Sequence, residues 1–307
     1  MVKVLVATEK PFAKAAVDGI RKLVEGAGYE LVLLEKYTDK SDLLNAVADV
    51  DAMIVRSDKI TAEVIEAAKQ LKIVVRAGAG YDNLDLDACT AKSIVAMNTP
   101  GQNSNAVAEL ALGMMIFMAR NQFNPSAGTE IKGKTLGIHA YGNVGKLVAS
   151  HAKGFGMEVL ALDPFLKKEE IERNGVKVVD SIEELYTKSQ YLSLHIPSND
   201  KTKKSIGYDL LTKMPKGATL INTARKEVID EEGLVKAFEE REDLKYATDI
   251  AADIQENLNE KFGTRVFATP KKMGAQTSEA NVNAGLASAN QIIKFLENGD
   301  TTFQVNK

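Results

Sequence analysis

The stretch Leu136-Gly137-Ile138-His139-Ala140-Tyr141-Gly142-Asn143-Val144-Gly145 carries a strand into a glycine-rich turn. A helical pattern, Lys146 to Phe155, follows it, and a second strand, Glu158-Val159-Leu160-Ala161-Leu162, ends on Asp163. Strand, glycine turn, helix and strand-end acid together form the layout that binds a dinucleotide. The glycines admit a pyrophosphate to the backbone, and the helix N-terminus offers it unpaired N–H groups. The acid then accepts the ribose hydroxyls. Asp163 lies 18 residues past Gly145 (163 − 145), close to the ~20 of the fingerprint. One position departs from Gly-x-Gly-x-x-Gly: Ala140 stands where the first glycine belongs.

Because the turn begins near residue 136 of 307, another unit precedes it. That length fits two domains of ordinary size. A net charge of −3, with both signs interspersed, leaves no electrostatic footprint for nucleic acid or an anionic membrane. The single cysteine, Cys89, excludes an internal disulfide and a multi-cysteine metal site and fits a reducing cytoplasm. The apolar run at Met1–Ala7 is too short for a signal peptide and reads as a first strand. The longest apolar stretch, Leu110 to Ala119, is half of what a membrane span needs. It reads as a buried helix or a subunit interface.

Before the turn, strands are expected at Val2–Ala7, Glu30–Leu34, Ala52–Arg56, Lys72–Arg76 and Ser93–Met97. Amphipathic helices lie between them at Phe12–Gly26, Ser41–Ala48 and Thr61–Lys69. A long helix follows at Ser104–Arg120, then a loop at Asn121–Gly128. From Thr135 the alternation resumes with six strands, at 135–139, 157–162, 190–195, 218–222, 245–249 and 265–268. A last helix covers Glu279 to Asn298. Such alternation predicts an α/β chain with two parallel sheets covered by helices.

By the switch-point rule, chemistry belongs on loops after the strand ends. Leu220-Ile221-Asn222-Thr223-Ala224-Arg225 ends a buried strand on an arginine, whose fork suits a carboxylate. Asp249 ends another strand, as a site acid or a helix cap, and Thr269-Pro270-Lys271-Lys272-Met273-Gly274-Ala275-Gln276-Thr277 places two lysines in a strand-to-helix loop. Two loops in the first half, Arg56-Ser57-Asp58-Lys59 and Ala77-Gly78-Ala79-Gly80-Tyr81-Asp82-Asn83, offer backbone N–H groups to an anion. His195, in Ser193-Leu194-His195-Ile196-Pro197, is a tempting general base, but its place before Ile-Pro fits a cofactor-pocket wall better. No histidine–carboxylate cluster has metal-ligand spacing.

These segments together resemble the D-2-hydroxyacid dehydrogenase family, most closely its members that oxidise 3-phospho-D-glycerate. The strongest matches are Val75–Asn83, Met97–Ser104 with Ala108-Glu109-Leu110, the glycine turn, Leu194–Pro197 and Asn222–Arg225. The resemblance implies two Rossmann-like or flavodoxin-like domains. An NAD-binding domain (99–285) is inserted into a substrate domain (1–98 plus 286–307) whose C-terminal helix returns to complete it. It implies a cytoplasmic homodimer joined through the helix at 104–120, acting on a phosphorylated 2-hydroxy acid. Since the chain stops at Lys307, serine feedback through an appended regulatory domain is not expected.

Carried over by position, Arg225 matches the substrate-binding arginine and Asp249 the acid that holds the nicotinamide carboxamide. Asp163 matches the ribose acid and favours NAD over NADP. Tyr141, Gly142, Asn143, Val144, Gly145, Pro164, His195, Ile196, Pro197, Thr223 and Ala224 match positions lining the cofactor. Arg56, Ser57, Ala79, Gly80 and Asn103 match positions around the substrate, and Arg56, Lys59 and Lys10 are the candidates for a phosphate. The implied reaction is the NAD-dependent oxidation of 3-phospho-D-glycerate that opens serine biosynthesis. The alternatives are a glyoxylate or hydroxypyruvate reductase and an NAD sensor without chemistry.

Two departures from the family pattern coincide. Where it places an acid/base histidine in Thr-Pro-His-x-Gly, counting back from Gly274 puts Lys272 in the slot, with Lys271 inserted. Where it places a glutamate partner, this chain has Ile254, with Asp253 and Glu256 nearby. Lysine starts near ~10.4 and must be lowered to act as a base near neutral pH. A neighbouring Arg225 and desolvation lower it, whereas a paired glutamate would raise it. A lysine-based site is therefore expected to lack the glutamate.

Overall fold

The computed structural model describes residues 1–306. The chain divides into two compact units, Met1–Asn103 with the segment from Gln276 onward, and Ser104–Ala275. The sequence placed these breaks at 98/99 and 285/286. The second differs most because Ser278–Asn298 is one continuous helix, which no boundary at 285 can divide.

The first unit alternates β1 (Lys3–Thr8), α1 (Lys14–Gly26), β2 (Glu30–Glu35), α2 (Lys40–Val47), β3 (Ala52–Val55), α3 (Ala62–Ala67), β4 (Ile73–Arg76), α4 (Leu86–Ala91) and β5 (Val95–Asn98). Its five strands are all parallel, in the order β2-β1-β3-β4-β5. β1, β3 and β4 are Val- and Ile-rich and buried almost throughout, as a sheet covered on both faces requires. Asp39 and Asp85 cap α2 and α4 by accepting from Ser41 N–H and Ala88 N–H.

The second unit runs α5 (Ser104–Ala119), β6 (Thr135–His139), α6 (Asn143–Gly154), β7 (Glu158–Leu162), α7 (Lys168–Glu172), β8 (Lys177–Val178), α8 (Ile182–Lys188), β9 (Tyr191–Leu194), α9 (Tyr208–Leu211), β10 (Thr219–Asn222), α10 (Glu231–Glu240), β11 (Lys245–Thr248), α11 (Gln255–Phe262) and β12 (Val266–Ala268). The order is β12-β11-β10-β9-β6-β7-β8, again all parallel. Seven strands stand where the sequence predicted six. The extra one, β8, is two residues paired to Leu160 and Ala161, too short to show periodicity. α5 is buried through Val107, Ala108, Ala111, Leu112, Met114, Met115 and Met118 and packs on α6. Its apolar run is thus mainly a core helix of this unit.

The chain then enters α12 (Ser278–Asn298), capped by the Thr277 hydroxyl accepting from Ala280 N–H and stopped at Gly299, φ 73°. α12 packs on α1 through two glycines. A Cβ at Gly19 would stand 2.5 Å from a Leu286 methyl, and one at Gly285 would stand 3.0 Å from Ile20. Among the described residues, no helix is long and apolar enough to cross a membrane.

Candidate active site

The strands of the second unit end in register. His139 pairs with Leu194, Leu194 with Asn222, Asn222 with Thr248, and Thr248 with Ala268. The residues just past that line are therefore Ala140, His195, Thr223, Asp249 and Thr269. The strand order reverses between β6 and β9, which is where an open parallel sheet binds its ligand.

The glycine turn sits at that reversal. Ala140 takes φ 77°, a glycine-like conformation that costs an alanine about 1–2 kcal/mol. Its N–H is held by Leu162 O at 2.9 Å. Gly145 cannot carry a side chain, because a Cβ there would lie 2.3 Å from Ala140 O. At Gly142 a Cβ would meet nothing within 4 Å, so that glycine opens the turn to an incoming group. α6 starts at Asn143, three residues earlier than its periodicity indicated, and no side chain caps its N-terminus. The first-turn N–H groups of Asn143, Val144 and Gly145 are those a pyrophosphate would meet. The Tyr141 side chain is turned away into the core, leaving only its backbone to the turn.

That backbone N–H donates to Asp163 Oδ2 at 2.8 Å, while Phe165 N–H donates to Oδ1 at 2.9 Å. A carboxylate has about four acceptor positions. Two remain, the number that the 2′- and 3′-hydroxyls of one ribose require; a 2′-phosphate would meet like charge. Pro164 and Phe165 are exposed beside it.

Four buried polar atoms along the other strand ends have no partner: Ser193 Oγ, His195 Nε2, Thr223 Oγ1 and Asp249 Oδ1. Such atoms are uncommon in native proteins, and here they share one edge of one sheet. They suit a ligand rich in donors and acceptors, and Asp249 Oδ1 suits a carboxamide NH₂. Burial holds the His195 imidazole down to about 3, helped by His139, and burial likewise takes His139 to about 4. A neutral imidazole that resists protonation is a poor general base. Ile196 beside it is buried and Pro197 exposed.

Arg225 is presented by a turn built on Asn222, whose Nδ2 donates to Arg225 O (3.0 Å) and whose Oδ1 accepts from Ala224 N–H (3.0 Å). Asp249 is fully buried and caps no helix, since α11 begins at Gln255. Burial pushes its carboxyl up; Gly274 N–H, the Lys272 cation, Met273 N–H and the Arg225 cation pull it back. The Gly274 bond is 2.6 Å long, and a Cβ on Gly274 would stand 2.8 Å from the same Oδ2. The lysine loop is thus pinned twice, by Gly274 to Asp249 and by Thr269 Oγ1 donating to Lys271 O at 2.7 Å. Both lysines are exposed, but Lys272 is the one whose charge acts on Asp249. Ile254 packs against the core and Asp253 is paired with Lys226 at 2.5 Å.

In the first unit, the Arg56 guanidinium is engaged by protein. Nη1 donates to the carbonyls of Lys10 (3.1 Å) and Pro11 (3.0 Å), Nη2 donates to Asn281 Oδ1, and the group lies over the Phe12 ring. Ser57, Lys59, Lys10 and Ala79 are exposed, and Gly80 and Asn103 are half-buried. Asn98 Nδ2 holds Ala79 O at 2.6 Å. Sequence reasoning passed over Ser193, Gly274 and Phe165. Only register places Ser193, a close approach singles out Gly274, and an exposed phenylalanine carries no motif.

Residues 109–271 match the model of the D-isomer specific 2-hydroxyacid dehydrogenase, NAD binding domain. The chain belongs to that family. A hydroxypyruvate reductase of Thermotoga maritima is 35% identical over 288 residues, 87% of this chain and 92% of that protein. A D-3-phosphoglycerate dehydrogenase of Methanocaldococcus jannaschii is 38% identical over 84% of this chain and 52% of its own length. The chain spans about half the length of that relative and of its Synechocystis counterpart. Among solved structures, NAD⁺-bound 3-phosphoglycerate dehydrogenase of Entamoeba histolytica aligns with TM-score 0.90 and 52% identity, covering 100% of this chain and 99% of that one. The second unit is thus the family's NAD-binding domain.

Proposed function

We propose that this chain oxidises 3-phospho-D-glycerate to 3-phosphohydroxypyruvate, the step that opens serine biosynthesis, and works as a cytoplasmic homodimer. The observation that carries the reading is the convergence on buried Asp249 of two cations, Arg225 and Lys272, beside a row of unpartnered acceptors. The protein of like length and fold from E. histolytica supports the substrate.

NAD⁺, when bound, supplies the acceptor for the hydride leaving C2. Asp249 Oδ1 would hold the carboxamide, with Thr223, Ser193 and His195 lining the wall. Arg225 binds the substrate carboxylate and the C2 oxygen, so that charge on that oxygen is stabilised as the C–H bond breaks. Lys272 takes the hydroxyl proton. Asp249 orients the loop through Gly274 and does not exchange protons with substrate. Ile254 in the partner-glutamate position adds no second carboxylate to Asp249, whose charge already favours the lysine cation. In the first unit we assign substrate contacts to Ser57, Ala79, Gly80 and Asn103. Arg56, whose guanidinium keeps N–H groups beyond those donated to Lys10 O, Pro11 O and Asn281 Oδ1, is a further substrate contact, and Arg56, Lys10 and Lys59 are the candidates for the phosphate.

The test is NADH formation from 3-phospho-D-glycerate beside D-glycerate and D-lactate. Lys272→Ala is expected to lower kcat about 10²- to 10⁴-fold with NAD affinity kept, while Lys271→Ala stays near wild type. The reverse pattern would overturn the assignment. The long match to the T. maritima enzyme favours one second reading, a hydroxypyruvate reductase. Turnover as fast on unphosphorylated D-glycerate would select it. Tight NAD binding without turnover would leave a sensor.

A further inference from the structure

Tyr246, the second residue of β11, is one of the largest fully buried side chains of the chain. Nothing in the assigned mechanism uses its hydroxyl. In the register of β10 with β11, Leu220 pairs with Tyr246 and Asn222 with Thr248. Side chains alternate faces along a strand, so Asn222, Thr248 and Tyr246 share one face of the sheet. All three are buried, and their polar atoms meet there. Asn222 Nδ2, which donates to Arg225 O, also donates to the Tyr246 hydroxyl at 3.5 Å. The Thr248 hydroxyl proton lies between Asn222 O at 2.8 Å and Ile250 O at 3.0 Å, and its oxygen accepts from Ile250 N–H at 3.0 Å. Asn222 O accepts a second time, from Asp249 N–H at 3.3 Å. Burial pushes the Tyr246 phenol up, with the Asn222 and Thr248 side chains pulling it back. The hydroxyl therefore stays protonated at neutral pH.

We infer that Tyr246 is a positioning residue, the base of a buried polar brace that sets Arg225 relative to Asp249. The inference rests on the proposed roles of those two residues and asks what holds them in place. Asn222 reaches both. Its side-chain amide shapes the turn that carries Arg225, and its carbonyl anchors the backbone of Asp249. The amide has two N–H donors, and Arg225 O takes only one. A buried donor needs a partner of its own, and the Tyr246 hydroxyl serves the second. Thr248 steadies the carbonyl side in the same way. Linked hydrogen bonds in a low-dielectric interior reinforce one another and select a single arrangement. That matters at this place, because a substrate clamp displaced by about 1 Å can forfeit about 10²-fold in rate. Tyr246 thus acts on the substrate through Asn222 and Arg225, without touching it.

Two measurements on the full chain test this: kinetics with 3-phospho-D-glycerate, and binding of oxamate, the amide analogue of a 2-oxo acid, to the NADH complex. Tyr246→Phe removes one oxygen and keeps the ring. It is expected to raise the KM of the hydroxy acid and the Kd of oxamate together by about three- to tenfold, the range for one neutral hydrogen bond. The NAD⁺ Kd should stay within twofold of wild type. Tyr191→Phe, the same deletion from a buried ring on the other face of the sheet, should move neither. Thr248→Val cuts the tie beneath both residues and should weaken oxamate and NAD⁺ alike, while Thr248→Ser should restore both. If Thr248→Val does not fold, the Tyr246→Phe result decides alone. Lower stability in Tyr246→Phe with KM and oxamate affinity unchanged overturns the proposal, leaving the hydroxyl a core partner only. An equal rise in its NAD⁺ Kd also overturns it, since the effect would then not run through Arg225. The oxamate readout holds even where the substrate is another 2-hydroxy acid. Oxamate affinity unmoved by Arg225→Lys would overturn the arginine assignment and this proposal together.

Discussion

Each unit buries one aspartate just past a parallel strand, and the two are treated in opposite ways. Asp58, after β3, is 2% exposed. It accepts from Glu9 N–H at 2.7 Å, the Tyr37 hydroxyl at 2.8 Å and Arg56 N–H at 3.3 Å. Asp249, after β11, is fully buried, yet one of its oxygens has no partner. A buried carboxylate surrounded by donors ties a fold together. One left half-satisfied costs stability and retains the capacity to bind. The first unit ties its strand-end acid into a knot, and the second leaves one oxygen of its acid without a partner, as the proposed carboxamide contact requires.

The contrast breaks first, and hardest, at Asp58. Asp58→Ala strands three donors and is expected to cost about 3 kcal/mol or more, read from denaturant midpoints, with NAD affinity within twofold of wild type. An affinity loss comparable to the stability loss would erase the distinction. Asp249→Asn should do the reverse, raising the NAD⁺ Kd about 10- to 100-fold, the range for one charged hydrogen bond. Because burial raises the folded pKa of Asp249 above its ordinary value, its ionised form burdens the folded state at neutral pH. The burden vanishes once pH falls below the unfolded carboxylate range. Tm of Asp249→Asn should therefore match or exceed wild type at pH 7, and the advantage should disappear by about pH 4.

A separate effect distinguishes the units by acid. His139 and His195, both at strand ends of the second unit, have folded pKa values lowered to about 4 and about 3. The unfolded chain protonates them below about 6.5, so their contribution is complete above that pH and drains away as pH falls toward 4. The second unit should lose protection from amide exchange before the first on mild acidification, and His139→Leu should flatten that slope. The smallest change is expected at Ala140. Ala140→Gly relieves a left-handed alanine but frees the unfolded chain, for a net gain of a few tenths of a kcal/mol in thermal unfolding.

Much of the site was readable because it is local. Glycine turn, strand, helix and Asp163 lie within 28 residues (136 to 163), where spacing alone implies geometry. Arg225 and Asp249 stand out in the sequence because strand ends in a parallel sheet are functional positions wherever they occur. Other features have no local signature. β8 is set by pairing to β7, not by its own two residues. The backbone of Tyr141 belongs to the turn while its ring belongs to the core. Arg56, a natural anion ligand by type, is engaged by Lys10, Pro11 and Asn281, the last 225 residues away.

By itself, then, the sequence determined the α/β class, the parallel sheets and the dinucleotide-binding unit with its glycine turn. These follow from residue type and short-range spacing. Only the tertiary structure decided which buried aspartate is saturated and which holds an acceptor open. It alone showed which lysine charge reaches Asp249 and which phenylalanine stands in water beside Asp163. Hydrogen-bond satisfaction and exposure are properties of what the rest of the chain brings near, and no local spacing encodes them.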